Sequence, residues 1–242
     1  MLPATVKSYK AASYSHVGMV RQVNEDACLE ATANGLWVVA DGMGGHAAGD
    51  YVSSLIVDTL RRIPPVESLP PFISALRNAL AQVNEGVQHE ALQRGVSMMG
   101  ATVVLLAARG SQAVCLWAGD SRLYRLRGGR LEMISHDHSY VQELLDNGVI
   151  NEDEAKVHPR ANVVTRAVGV FESLDLQSVS LQVMPGDSFL LCSDGLTKVA
   201  EESELADVLC HCDPYAIVRS LVHLGLTRGA PDNITAMVVR AL

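Results

Sequence analysis

The sequence predicts an α+β sandwich, antiparallel sheets covered by helices, and three observations point to it. Short apolar runs with β-branched and aromatic residues come in blocks instead of alternating one by one with helices. Connections such as Arg127-Gly128-Gly129-Arg130 are too short for a parallel crossover and suit hairpins. Helical periodicity comes in two pairs, one between the strand blocks and one near the C-terminus.

Taken in order, Tyr9–His16, Ala27–Ala31 and Leu36–Ala40 read as strands. From Ala47 to Arg61 the residues Val52, Leu55, Ile56 and Leu60 recur at helical spacing, and Pro64-Pro65 stops the pattern. A second helix, Pro71 to Gln93, carries Phe72, Ile73, Leu76, Leu80, Val83, Val87 and Leu92 on roughly one face. Strand-like runs follow at Thr102–Ala107, Ala113–Ala118, Leu123–Leu126, Leu131–Ile134, Leu176–Val183 and Ser188–Cys192. Two helical segments, Glu201–Leu209 and Pro214–Leu224, precede a closing strand, Ile234–Val239.

The 242 residues are 48% apolar and 19% charged, which suits one sizeable core and excludes disorder. With no internal repeat and no long linker, residues 1–242 are expected to form one domain. The longest apolar stretch, Val103 to Ala108, is far short of the roughly 20 residues a membrane span needs. The N-terminus does not read as a secretory signal, so a cytoplasmic location is the expectation. A net charge of −8, with no basic stripe, argues against a nucleic-acid partner. Cys115 and Cys192 fall inside strand-like runs, where thiols serve as small core residues, and disulfides are not expected. Cys210-His211-Cys212 lacks a second pair of ligands at zinc spacing.

Residues Ser139–Thr165 differ in character, being polar with a break at Asn147-Gly148. They suit either a recognition loop or lid, or a plain pair of short surface helices.

The informative pattern is an Asp at the end of several apolar runs: Asp41 after LWVVA, Asp120 after AVCLWAG and Asp194 after FLLCS, with Asp232 just before the last strand. Strand ends sharing one rim would bring these carboxylates together. At a separation of about 4 Å each close pair repels by about 4 kcal/mol at an effective dielectric near 20, so only cations could hold them together. Oxygen ligands select hard divalent ions such as Mg2+ or Mn2+ over Zn2+. Two such ions acidify a shared water into a nucleophile suited to attack on phosphorus.

Five ordered segments carry a resemblance to a known family. They are Arg21-Gln22-Val23-Asn24-Glu25-Asp26, Val39 to His46 (VADGMGGH), Gly119-Asp120-Ser121-Arg122, Ser193-Asp194-Gly195 and Asp232-Asn233. They resemble the motifs of the metal-dependent protein serine/threonine phosphatases, the PPM or type 2C family, in its bacterial stand-alone form. The resemblance implies a four-layer α/β/β/α sandwich with two central antiparallel sheets. It also implies hydrolysis of phosphoserine and phosphothreonine by a hydroxide bridging two ions, in opposition to a bacterial Ser/Thr kinase.

Carried over by position, Asp41 bridges two Mn2+ or Mg2+ ions, Asp194 and Asp232 complete the first, and Glu25 and the Gly42 carbonyl complete the second through waters. Asp120, with Asp194, matches a weaker third site. Arg21 clamps the substrate phosphate, while Asp26 and Asn233 orient the ligands from behind. Eukaryotic relatives have a His two places after the bridging Asp. Here Met43 stands there, so the acid for the leaving alkoxide is either His46 or a metal-bound water, and His46 is equally a packing or capping residue.

Ser139–Thr165 falls where the family carries a flap, with His158 and Arg160 as candidate substrate contacts. His136 and His138 flank Asp137 in a spacing that elsewhere binds zinc, but the resemblance makes them an ordinary strand-to-flap junction. A catalytically inactive relative that binds a phosphoprotein or kinase is the alternative function. A His/Asp-type metallophosphoesterase is disfavoured, because the chain lacks a Gly-Asn-His-[Asp/Glu] motif.

Overall fold

The computed structural model describes residues 5–44 and 48–242. Its strands β1 (Tyr9–His16), β2 (Asp26–Ala31) and β3 (Leu36–Met43) lead into helices α1 (Gly49–Arg61) and α2 (Leu69–Arg94). Strands β4 (Gly100–Arg109), β5 (Gln112–Ala118), β6 (Arg122–Arg127) and β7 (Arg130–Met133) follow. Two short helices, α3 (Tyr140–Asp146) and α4 (Glu152–Lys156), precede β8 (Gln177–Gln182) and β9 (Ser188–Cys192). The chain ends with α5 (Asp194–Thr197), α6 (Glu202–Leu209), α7 (Pro214–Thr227) and β10 (Ile234–Ala241).

Two five-stranded sheets result, in the orders β1-β10-β9-β6-β7 and β2-β3-β4-β5-β8. Every named strand pair is antiparallel, as the short connections require. In the turn joining β6 to β7, Gly128 and Gly129 take φ of 56° and 81°, the left-handed conformation that a two-residue hairpin demands.

Side-chain alternation makes the layers. Along β4, Val103, Leu105 and Ala107 pack with Val52, Ile56, Phe72, Leu76 and Leu80 of α1 and α2, while Val104 and Leu106 face the other way. Those inward residues meet Phe189, Leu191, Met237 and Val239 of the opposing sheet, with Trp37 among them. On the far side of that sheet, Leu190, Ala236 and Val238 pack with Leu205, Ile217, Val218 and Leu221 of α6 and α7. Three apolar interfaces between two helical layers and two sheets give the α/β/β/α sandwich. The near-continuous apolar runs of β3, β4 and β9 follow from burial on both faces.

Leu92 departs from the expected face of α2, being 81% exposed. The last turn of that helix overhangs into solvent, since residues 92–98 are all exposed. The expected start of the first helix at Ala47 lies outside the described residues. All five cysteines are free thiols, with Cys115 and Cys192 buried in strands. Among the described residues no helix is long and apolar enough to cross a membrane.

Candidate active site

One rim of the sandwich gathers the acids that the sequence singled out. Asp41 stands near the end of β3, and its register partner on β2 is Asp26. Asp120 follows β5 from the same sheet, while Asp194 follows β9 and Asp232 precedes β10 from the other. All but Asp26 line one cleft of about 270 Å³, together with Arg21, Glu25, Gly42, Lys198 and Asn233. The strands deliver these side chains because their buried interiors fix where the backbone ends.

Close approaches explain the glycines in the motifs. A Cβ on Gly42 would stand 2.3 Å from the Gly49 carbonyl oxygen and 2.7 Å from that of Glu25. On Gly195 it would meet the Asn233 carbonyl oxygen at 1.8 Å, so only glycine lets α5 start against the β10 loop.

Asn233 knits the rim together. Its side-chain amide donates to the carbonyls of Val17 and Val23, and its Oδ1 accepts from the Glu25 N–H at 2.9 Å. Asp26 is buried, and its Oδ2 accepts from the hydroxyls of Ser193 at 2.8 Å and Thr235 at 2.7 Å, tying the two sheets to each other. Its Oδ1 has no partner among the described residues.

Burial and mutual repulsion raise the acids' affinity for protons. Burial, then the charges of Asp26, Asp194, Asp120 and Asp232, hold Asp41 well above the usual carboxylate range. Asp26 and Asp120 are each pushed up to about 7, by burial first and by neighbouring acids including Asp194. Glu25 is raised by burial, against the pull of Arg21. Asp194 is raised by burial despite the Lys198 charge beside it.

A rim that resists losing protons in this way fits a hard cation, and so does its donor set of carboxylates and a backbone carbonyl. Among the described residues, no three His, Cys, Asp or Glu side chains already close around a single point. Instead, two of the acids are engaged by basic residues. Arg21 forks onto Asp232, with Nε 3.0 Å from Oδ1 and Nη2 3.1 Å from Oδ2. Lys198 Nζ lies 2.5 Å from Asp194 Oδ2 and 3.5 Å from Asp232 Oδ2.

Lys198 escaped the sequence reading, although an Asp followed four residues later by a Lys is a recognisable helical ion pair. Also unread was the buried fork behind Asp120, where Arg122 grips Asp137 through Nε and Nη2 and donates from Nη1 to the Tyr124 hydroxyl.

His46 lies outside the described residues. His158 and Arg160 are not among the cleft's lining residues. They flank the Tyr140 ring, with the Arg160 guanidinium 5.2 Å from its centroid. Asn162 and Val164, a few residues on, do line the cleft. His136 and His138 part company: His136 pairs with Asp146 at 2.7 Å, whereas His138 is buried and stacked on Trp117.

The family model for protein phosphatase 2C matches residues 14–220. The chain belongs to that family.

Among phosphatase 2C relatives, the serine/threonine phosphatase Stp of Listeria welshimeri is 34% identical, over 92% of each chain. PstP of Mycobacterium tuberculosis is 32% identical over 94% of this chain, which spans only 44% of PstP's length. The catalytic domain of PstP has been solved in complex with two manganese ions, with 30% identity, a TM-score of 0.89 and coverage of 99% and 100%. PppA, described as a key regulatory component of T6SS in Pseudomonas aeruginosa, is 74% identical, with a TM-score of 0.93 and coverage of 98% and 100%.

Proposed function

We propose that this chain is a single catalytic domain that hydrolyses phosphoserine and phosphothreonine on proteins, using two divalent ions, Mn2+ or Mg2+. The observation that carries the reading is the convergence of Asp41, Asp120, Asp194 and Asp232, drawn from both sheets, on one cleft with Arg21 at its mouth. Asp41 would serve both ions, Asp194 and Asp232 the first, and Glu25 with the Gly42 carbonyl the second; Asp120 with Asp194 would take a weaker third. When bound, the ions supply positive charge for the phosphate and acidify water for attack on phosphorus.

The chain's own residues do the rest. Arg21 is half exposed, so its guanidinium can leave Asp232 and clamp phosphate oxygens with two parallel hydrogen bonds. Asn233 holds the Glu25 backbone in place, and Asp26 anchors the hydroxyls of Ser193 and Thr235 beside the other acids. Residues 139–165 act as a flap, with Asn162 and Val164 facing the substrate and His158 and Arg160 contacting its flanks. The leaving alkoxide takes its proton from His46 or from water.

The inactive alternative needs a lost ligand, and every expected acid stands in the sequence. The partners would be phosphorylated proteins and a cognate Ser/Thr kinase, with the chain itself acting in the cytoplasm. Given the likeness to PppA, we place that circuit in control of a secretion apparatus.

The test is phosphate release from a phosphothreonine peptide and from p-nitrophenyl phosphate. Turnover should require added Mn2+ and stop with EDTA; equal rates with and without metal would refute the proposal. For the pathway, deletion of the gene should raise phosphorylation of a secretion-apparatus protein, and an unchanged phosphoproteome there would remove that assignment.

A further inference from the structure

Lys198 is a cation that the reaction as derived above does not use. It follows the last residue of α5, one turn beyond Asp194, and its backbone N–H donates to the Asp194 carbonyl at 2.8 Å. The same turn therefore sets the position of both side chains. Its ammonium lies 2.5 Å from Asp194 and 3.5 Å from Asp232, which Arg21 also grips.

We propose that Lys198 is an internal counter-ion that competes with the divalent metal for Asp194 and Asp232, and so sets the metal concentration at which the site loads. The inference rests on reading those two acids as metal ligands. Half-buried acids converging from two sheets repel one another, and a nearby ammonium relieves that repulsion before any ion arrives. A divalent ion at the same acids must then displace or repel the ammonium.

Lysine suits this exchange. Its charge is compact and sits on a flexible stem, and the side chain is 32% exposed, so it can swing to solvent. Removing the charge should have two opposite effects: a less stable metal-free rim and a stronger grip on the ion.

The experiment is calorimetric titration of the full chain with MnCl2, alongside thermal melts in EDTA and in Mn2+. Lys198→Met keeps the stem and deletes the charge. It should bind Mn2+ on the order of tenfold more tightly than the wild type, the repulsion being partly screened by solvent. Lys198→Arg keeps the charge and should show no such gain. In EDTA the Met variant should melt below the wild type, and its gain in melting temperature on adding Mn2+ should be larger.

Unchanged Mn2+ affinity in the Met variant would overturn the proposal. Weaker affinity would also overturn it, and would make Lys198 an orienting partner of Asp194. Should the Met variant not fold, Lys198→Gln carries the same expectation. A wild type that binds no Mn2+ would defeat the metal reading itself, an outcome distinct from equal binding by wild type and variant.

Discussion

The acidic rim and the segment 139–165 face the same cleft but are built differently. The rim acids stand near the ends of strands whose interiors are almost wholly buried, as in β3 and β9, and hydrogen bonds through Asp26 and Asn233 brace them from behind. In the segment, α3 buries no residue and α4 buries only Ala155. Its helices rely on local devices instead, Ser139 capping α3 and a reciprocal Asn151–Glu154 box capping α4. Groups that must hold a fixed geometry have been put on packed backbone, and groups that meet variable partners on weakly packed backbone.

Substitutions can break that contrast or sharpen it. The largest effect is expected at the rim: Asp41→Asn should lower turnover of p-nitrophenyl phosphate by at least roughly a thousandfold. Its metal-free melting temperature should not fall, because a buried repulsive charge has gone. A drop in stability instead would recast Asp41 as a structural residue.

Next comes the packing beneath the rim. Phe189→Ala, in the layer between the sheets, should cost about 3–5 kcal/mol in denaturant unfolding. A cost below about 1 kcal/mol would show that the inter-sheet layer does not hold the rim.

A smaller, pH-dependent effect is expected at Asp26. With its folded-state value at about 7 and its unfolded value near 4, the folded chain binds the extra proton in between. Stability of the metal-free protein should therefore fall as pH rises from about 4 to about 7. Asp26→Asn removes this contribution, so the variant's advantage over the wild type should grow across that window and level off above it. A constant difference in melting temperature would contradict the raised value.

The smallest effect belongs to the segment. Tyr140→Ala removes the ring that Arg160 and His158 flank, and should raise KM for a phosphopeptide a few-fold while leaving kcat and melting temperature nearly unchanged. A collapse of kcat would mean that the segment shares in the chemistry.

The same contrast governs how much could be read from the sequence. Strands such as Leu36–Ala40 and Thr102–Ala107 announced themselves as apolar runs because both of their faces are buried, and the acids that close several of them stood out for the same reason. Periodicity also gave most of α2, but not the exposure of Leu92, because nothing local says where the supporting sheet ends. For the segment 139–165 the sequence suits a loop and a helix pair equally. It contains two short helices, whose caps are local but whose apolar content is too small to show a period. α5 is a single turn held by its contact with the β10 loop, a long-range fact. Ion pairs such as Arg21–Asp232 and Arg122–Asp137 join residues distant in the chain and leave no signature in spacing.

The place of β10 carries a consequence for biosynthesis. It follows β1 and β9 in the chain, yet it slots between them, and Asp232 rides in just ahead of it. A nascent chain with every other acid already in place still lacks one wall of its cleft. Until β10 docks between its neighbours, the acids of the rim cannot all meet.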